Sequence, residues 1–239
     1  EPRPPDGETM APERQVRRPA RQVIGIIPIV LVHGTRTSSA IWESQEEALR
    51  RSGHLTTAVD LPGHGTRTDE RFTLAGAMET IDRAVMDCAR PPLLVGLSLG
   101  GYTSLAYAAE EQHKLSGVVL SGCSTEIAGK PLRAYRRATT VLADTFRPTG
   151  TWHVVADMLE AMHGYSCASD LRRLTLPVWL VNGSRDPLRL QQRQFHHAVP
   201  SAQLHVGRGA GHDVNSHAPT AFNRILLDVL RQLADQPAL

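Results

Sequence analysis

Short apolar runs alternate with segments of helical spacing along most of this chain. The runs fall at residues 29–32, 55–59, 92–97, 117–120, 177–181 and 202–206. Runs of that length and density suit strands covered on both faces. Between them, residues 38–51, 74–88, 99–111, 187–197 and 219–233 repeat apolar side chains at helical intervals. In the first of these helical segments Ile41, Trp42 and Leu49 can turn inward, while Glu43, Glu46, Glu47, Arg50 and Arg51 face water. Strand–helix alternation of this kind builds an α/β fold, a mostly parallel central sheet flanked by helices. Ligands of such sheets sit beyond the carboxyl ends of the strands, so the chemistry is to be sought in the residues that follow each run.

The alternation breaks twice. Residues 1–22 are poor in apolar residues and rich in proline, and read as a flexible arm. Residues 124–174 contain no convincing strand; residues 132–146 and 154–163 look like amphipathic helices, and the whole stretch reads as an insertion over one edge of the sheet. The core is then 23–123 together with 175–239. At 239 residues the chain suits one domain of this kind, large enough to need neither disulfides nor a structural metal.

Charge narrows the partners. Twenty-six basic and 24 acidic residues leave a formal charge of +2, which gives no footprint for nucleic acid or an anionic membrane. Three cysteines, Cys88, Cys123 and Cys167, have no metal or redox spacing. A reducing, cytoplasmic setting fits them best, with secretion left open because the sequence starts at Glu1. No stretch is apolar and long enough to span a bilayer.

The residues after the runs are distinctive. Gly96-Leu-Ser-Leu-Gly100 lies between a run and a helical segment, which is the setting of a nucleophile elbow centred on Ser98. Gly96 and Gly100 give the tight turn room, and the first amides of the following helix favour developing negative charge. A serine hydroxyl needs a base, and the base needs an orienting acid. His212, in a glycine-bracketed loop after the sixth run, is the candidate base. Asp186, after the fifth, is the candidate acid, with Asp213 a weaker competitor because it is the neighbour of His212. The backbone N–H groups of Thr35, after the first run, and of Leu99, after the nucleophile, are the candidate oxyanion hole. His33 and His64 read as residues that shape their loops.

Five stretches carry a family resemblance: Leu31-Val-His-Gly-Thr35, Asp60-Leu-Pro-Gly-His-Gly65, Gly96-Leu-Ser-Leu-Gly-Gly101, Asn182-Gly-Ser-Arg-Asp186 and Gly211-His212. In this order the chain resembles the α/β-hydrolase-fold superfamily, among its esterase and lipase-like serine hydrolases. The resemblance implies that residues 124–174 are a small helical cap. Tyr135, Phe146, Trp152, Met158, Met162 and Tyr165 then either line an acyl or alcohol pocket or pack the cap against itself. Serine at the elbow sets the chain apart from relatives with an aspartate nucleophile, such as haloalkane dehalogenases and epoxide hydrolases.

The leading functional expectation is hydrolysis of a carboxylic ester, with lactones and thioesters as variants, through an acyl-Ser98 intermediate. No metal or organic cofactor is expected. The partner would be a small ester-like molecule, and the protein a monomer or homodimer. The same three residues also suit carbon–carbon bond hydrolysis, or a lyase or cyclase step. A non-catalytic binding role fits less well with all three residues present.

Overall fold

The computed structural model describes residues 26–132, 152–199 and 201–235. Six strands form one sheet: β1 Ile29–Val32, β2 Thr56–Val59, β3 Leu93–Leu97, β4 Gly117–Ser121, β5 Val178–Gly183 and β6 Gln203–Gly207. Their order is β2-β1-β3-β4-β5-β6, and every neighbouring pair is parallel. The order reverses direction at β1, which lies between β2 and β3. Such a switch point opens a crevice at the carboxyl ends of the two strands that flank it.

The inner strands are apolar at nearly every position because each face of the sheet has its own core. Val30, Val32, Leu94, Val118, Leu120, Val178 and Leu180 pack on one face. Ile29, Leu31, Leu93, Val95, Val119, Trp179 and Val181 pack on the other. This is the two-residue period of a strand read on both sides. The edge strand β6 carries exposed Gln203 and Val206 instead.

The helices are α1 Glu43–Arg51, α2 Leu74–Met86, α3 Leu99–Glu111, α4 Trp152–Ala161, α5 Cys167–Arg173, α6 Gln192–Ala198, α7 Val214–His217 and α8 Pro219–Ala234. Helices α2, α3, α5 and α6 contribute to the first core. Helices α1 and α8 contribute to the second, with Trp42 just ahead of α1. Helix α3 is unusual: every residue from Leu99 to Ala109 is buried. Its glycines and alanines are what a helix enclosed on all sides can accommodate.

Two expected helices are split. Residues 38–51 begin as a 3-10 turn, Ser39–Trp42, before α1. Residues 187–197 begin as a 3-10 turn, Pro187–Arg189, before α6. In the second case the Asp186 carboxylate accepts from the Leu188 N–H at 2.8 Å, which tightens the chain behind the proline. Leu55 stays outside β2 and is 70% exposed. Helix α5 starts at a local cap, the Ser166 hydroxyl accepting from the Ser169 N–H at 3.3 Å, and a distant residue secures its first amides. The Glu126 carboxylate accepts from the Cys167 and Ala168 N–H groups at 3.0 and 2.8 Å. The arm at residues 1–22, almost all of the helix expected at 132–146, and Tyr135 and Phe146 lie outside the described residues, as does the side chain of Trp152. Among the described residues, no helix is long and apolar enough to cross a membrane.

Candidate active site

Ser98 follows β3 directly and starts α3. Its backbone lies at φ 54°, ψ −115°, a region that costs a side-chain-bearing residue on the order of 1–3 kcal/mol. The strain is held from both sides: the Ser98 N–H donates to the Ser121 carbonyl at 2.8 Å, and its carbonyl accepts from Tyr102 at 3.0 Å. The flanking glycines work differently from one another. A Cβ on Gly96 would lie 2.2 Å from the Gly100 carbonyl oxygen, across the turn. A Cβ on Gly100 would lie 2.2 Å from the Val32 carbonyl oxygen, so this glycine lets the helix meet the end of β1 rather than relieving the turn itself.

Three side chains converge there. Ser98 Oγ lies 2.8 Å from His212 Nε2, and His212 Nδ1 lies 3.0 Å from Asp186 Oδ1. With the ring proton on Nδ1, the imidazole donates to Asp186 and accepts from the serine hydroxyl. The carboxylate of Asp186 is buried. Burial works to raise its pKa, but hydrogen bonds from His212 and from the Leu188 N–H outweigh it and hold the group below the ordinary carboxylate value. The hydrogen bond to Asp186 pushes the His212 pKa up; burial opposes this, and the charges of Asp186 and Asp213 add to it. Asp213 itself sits at the start of α7, and its carbonyl accepts from Ser216 and His217. It makes no hydrogen bond to the His212 ring, so the geometry favours Asp186 of the two carboxylates.

A glycine that the sequence reading passed over makes room for the ring. Gly122, at φ +60°, would bring a Cβ to 3.2 Å from His212 Cε1. The local signal was present, since Gly122 follows β4 directly.

The loop after β1 completes the setting. Gly34 packs against Ser98: a Cβ there would lie 3.3 Å from the serine Cβ. Thr35, Ser98 and Leu99 share the wall of one cavity. Among the described residues, the N–H groups of Thr35 and Leu99 donate to no other group. His33 and His64 are buried beneath this loop, their rings 4.9 Å apart. His33 Nε2 accepts from the Leu61 N–H at 3.1 Å, which places its proton on Nδ1, 2.8 Å from the Gly34 carbonyl. Both are loop-shaping residues by their contacts.

Burial lowers the His33 pKa from 6.5 to about 4, against the opposing bond to Gly34. The unfolded chain therefore takes up this proton first as pH falls. Stability is fully present above 6.5 and is lost as pH drops toward 4. His33 alone should cost about 2 kcal/mol between about pH 7.5 and about pH 5. His64, also lowered by burial, acts in the same direction. Urea midpoints at the two pH values measure this, and equal midpoints would contradict a neutral, buried His33.

The cavity next to Ser98 has a volume of about 440 Å³. Its walls include Tyr102, Ile127, Leu132, Met158, Leu159, Met162, Leu188 and Leu190, together with Glu126 and Lys130. Met158 and Met162 line it. Tyr165 does not; it packs against the core, with its hydroxyl 3.4 Å from the Tyr102 carbonyl oxygen. Tyr102, Ile127, Leu188 and Leu190 were missed, because residues far apart in sequence share this wall only after folding.

A model described as the alpha/beta hydrolase family matches residues 29–225. Protein ABHD14A of Homo sapiens is 25% identical over 87% of this chain, which spans 65% of that relative's length. Esterase Rv0045c of Mycobacterium tuberculosis is 24% identical, with 84% of this chain and 82% of that protein aligned. A thermophilic esterase from Thermogutta terrifontis superimposes with a TM-score of 0.75 at 20% identity, over 87% of this chain and 90% of that one.

Proposed function

This chain belongs to the alpha/beta hydrolase family, and from that premise we propose that it is a serine hydrolase acting on a small carboxylic ester, lactone or thioester. The observation that carries the reading is the hydrogen-bonded row Ser98–His212–Asp186 opening onto an apolar cavity. The esterase name of Rv0045c supports it.

In this reading Ser98 Oγ attacks the carbonyl carbon while His212 Nε2 takes its proton. Asp186 holds the ring and stabilises the imidazolium. The N–H groups of Thr35 and Leu99 meet the oxyanion of the tetrahedral intermediate, an interaction worth several kcal/mol in a site closed to water. His212 returns the proton to the departing alcohol or thiol. A water molecule, deprotonated by His212, then cleaves the acyl-Ser98 ester. The apolar wall beside Ser98 suits the acyl portion.

Hydrolysis of p-nitrophenyl butyrate, with fluorophosphonate labelling of Ser98, tests the proposal; a folded protein that does neither is not a serine esterase. The same assay reads the base. Only neutral His212 accepts the serine proton, and Asp186 raises its pKa. The rate should therefore fall on acidification through a pKa above the ordinary imidazole value, and Asp186→Asn should move that limb to lower pH. A limb at or below the ordinary value would contradict this coupling.

A further inference from the structure

The acyl side of the cavity is bounded by α4, which contributes Met158 and Leu159, and by Met162 just past its end. One face of this helix meets the core through Val154, Asp157 and Met158, spaced three and four residues apart as neighbours on a helix are. Val154 is buried and lies over Gly63, where a Cβ would come within 2.8 Å of its Cγ2. The Thr35 hydroxyl donates to Met158 Sδ at 3.1 Å. A further attachment is an ionic fork. Arg71 Nε donates to Asp157 Oδ2 at 2.6 Å, its Nη2 donates to Oδ1, and the Phe72 N–H donates to Oδ2 at 3.3 Å. The carboxylate is only 8% exposed, whereas the arginine stands 73% in solvent.

Behind the helix the packing is not closed. A groove of about 340 Å³, with Phe72, Leu74 and Ala161 on its walls, lies between α4 and the start of α2. Helix α4 therefore stands between two spaces, the acyl cavity in front and this groove behind. An enlarged acyl group can be accommodated by moving the helix toward the groove. That movement must disturb the Arg71–Asp157 fork, since both residues line the groove.

We propose that Arg71 and Asp157, which do not line the cavity beside Ser98, are a positioning pair that sets the size of acyl group the enzyme accepts. The inference rests on the ester-hydrolase reading. The planar guanidinium fork suits this task because its two parallel bonds fix direction as well as distance, which the single ammonium of lysine does not.

The test compares kcat/KM for p-nitrophenyl butyrate and p-nitrophenyl decanoate. In Arg71→Gln the decanoate-to-butyrate ratio should rise about fivefold at most, since a solvent-facing ion pair is screened. The butyrate kcat should stay near that of the parent protein. Asp157→Asn, which keeps an acceptor for the Phe72 N–H, should shift the ratio in the same direction. Arg71→Lys should fall between Arg71→Gln and the parent, and raised sodium chloride should shift the parent protein toward the variants. If either folded variant, or the parent at high salt, leaves the ratio unmoved, the pair does not set acyl size. Equal loss on both esters would also overturn the proposal, by assigning the pair a merely structural role. Failure of the parent protein to hydrolyse either ester would instead overturn the ester-hydrolase reading.

Discussion

Ser98→Ala is expected to abolish ester turnover, with a loss on the order of 10⁶-fold by analogy with other serine hydrolases whose nucleophile is removed. The fold should survive, because Ser98 Oγ is bonded only to His212 and both backbone bonds of the residue remain available to alanine. Among the described residues, no other hydroxyl is hydrogen-bonded to His212. Ser121 and Ser124 are fully buried, and Ser124 is engaged with Asn182. Turnover of p-nitrophenyl butyrate, covalent capture by a fluorophosphonate and a circular dichroism spectrum check the three parts. Retention of more than a trace of activity would show that the nucleophile lies elsewhere.

Asp186→Asn should cost up to about 10⁴-fold, whereas Asp213→Asn should cost far less. The reason lies in what Asp186 accepts. Its Oδ1 takes hydrogen bonds from both the Leu188 N–H and His212 Nδ1. Its Oδ2 is buried with no partner among the described residues. An asparagine that keeps its oxygen at Oδ1 must put two N–H groups into that partnerless site, at a cost of about 1–3 kcal/mol. One that flips presents donors to His212 and drives the ring proton onto Nε2, the atom that has to accept from Ser98. Either way the base is impaired, and the imidazolium loses its counter-charge. Asp213 contributes only through its nearby charge. Rates of both variants at about pH 8, where an imidazole is largely neutral, separate them. Greater damage from Asp213→Asn would name that residue as the acid.

Ser98, His212 and both candidate acids were legible as candidates in the sequence because each follows a recognisable apolar run within a few residues. Parallel strands then bring their carboxyl ends together, so local motifs at strand ends become neighbours in space. The preference for Asp186 over Asp213 was legible only in that Asp213 is the neighbour of His212; the geometry that favours Asp186 has another source. It depends on side-chain direction, which the 3-10 turn behind Asp186 and the start of α7 at Asp213 decide. The cavity wall was harder still. Ile127, Leu188 and Leu190 are ordinary apolar residues, and their role comes from meeting Met158 and Met162 across the molecule. Helix α5 was missed although Ser166 caps its start; Glu126, some forty residues earlier, satisfies its first N–H groups.

Complete enclosure of α3 has a consequence for how the molecule comes apart. Local opening in proteins follows the layout of buried contacts, and segments sunk on every side exchange their amide hydrogens only through global unfolding. Ser98 therefore starts a segment expected to be well protected, while α4 is held in part by a solvent-facing arginine. Mild denaturant should reach the outer wall first. On the proposed function, chain-length discrimination and reactivity would then belong to different cooperative units, one free to open briefly while the other keeps its register, so that substrates could be exchanged without the serine leaving its strained turn.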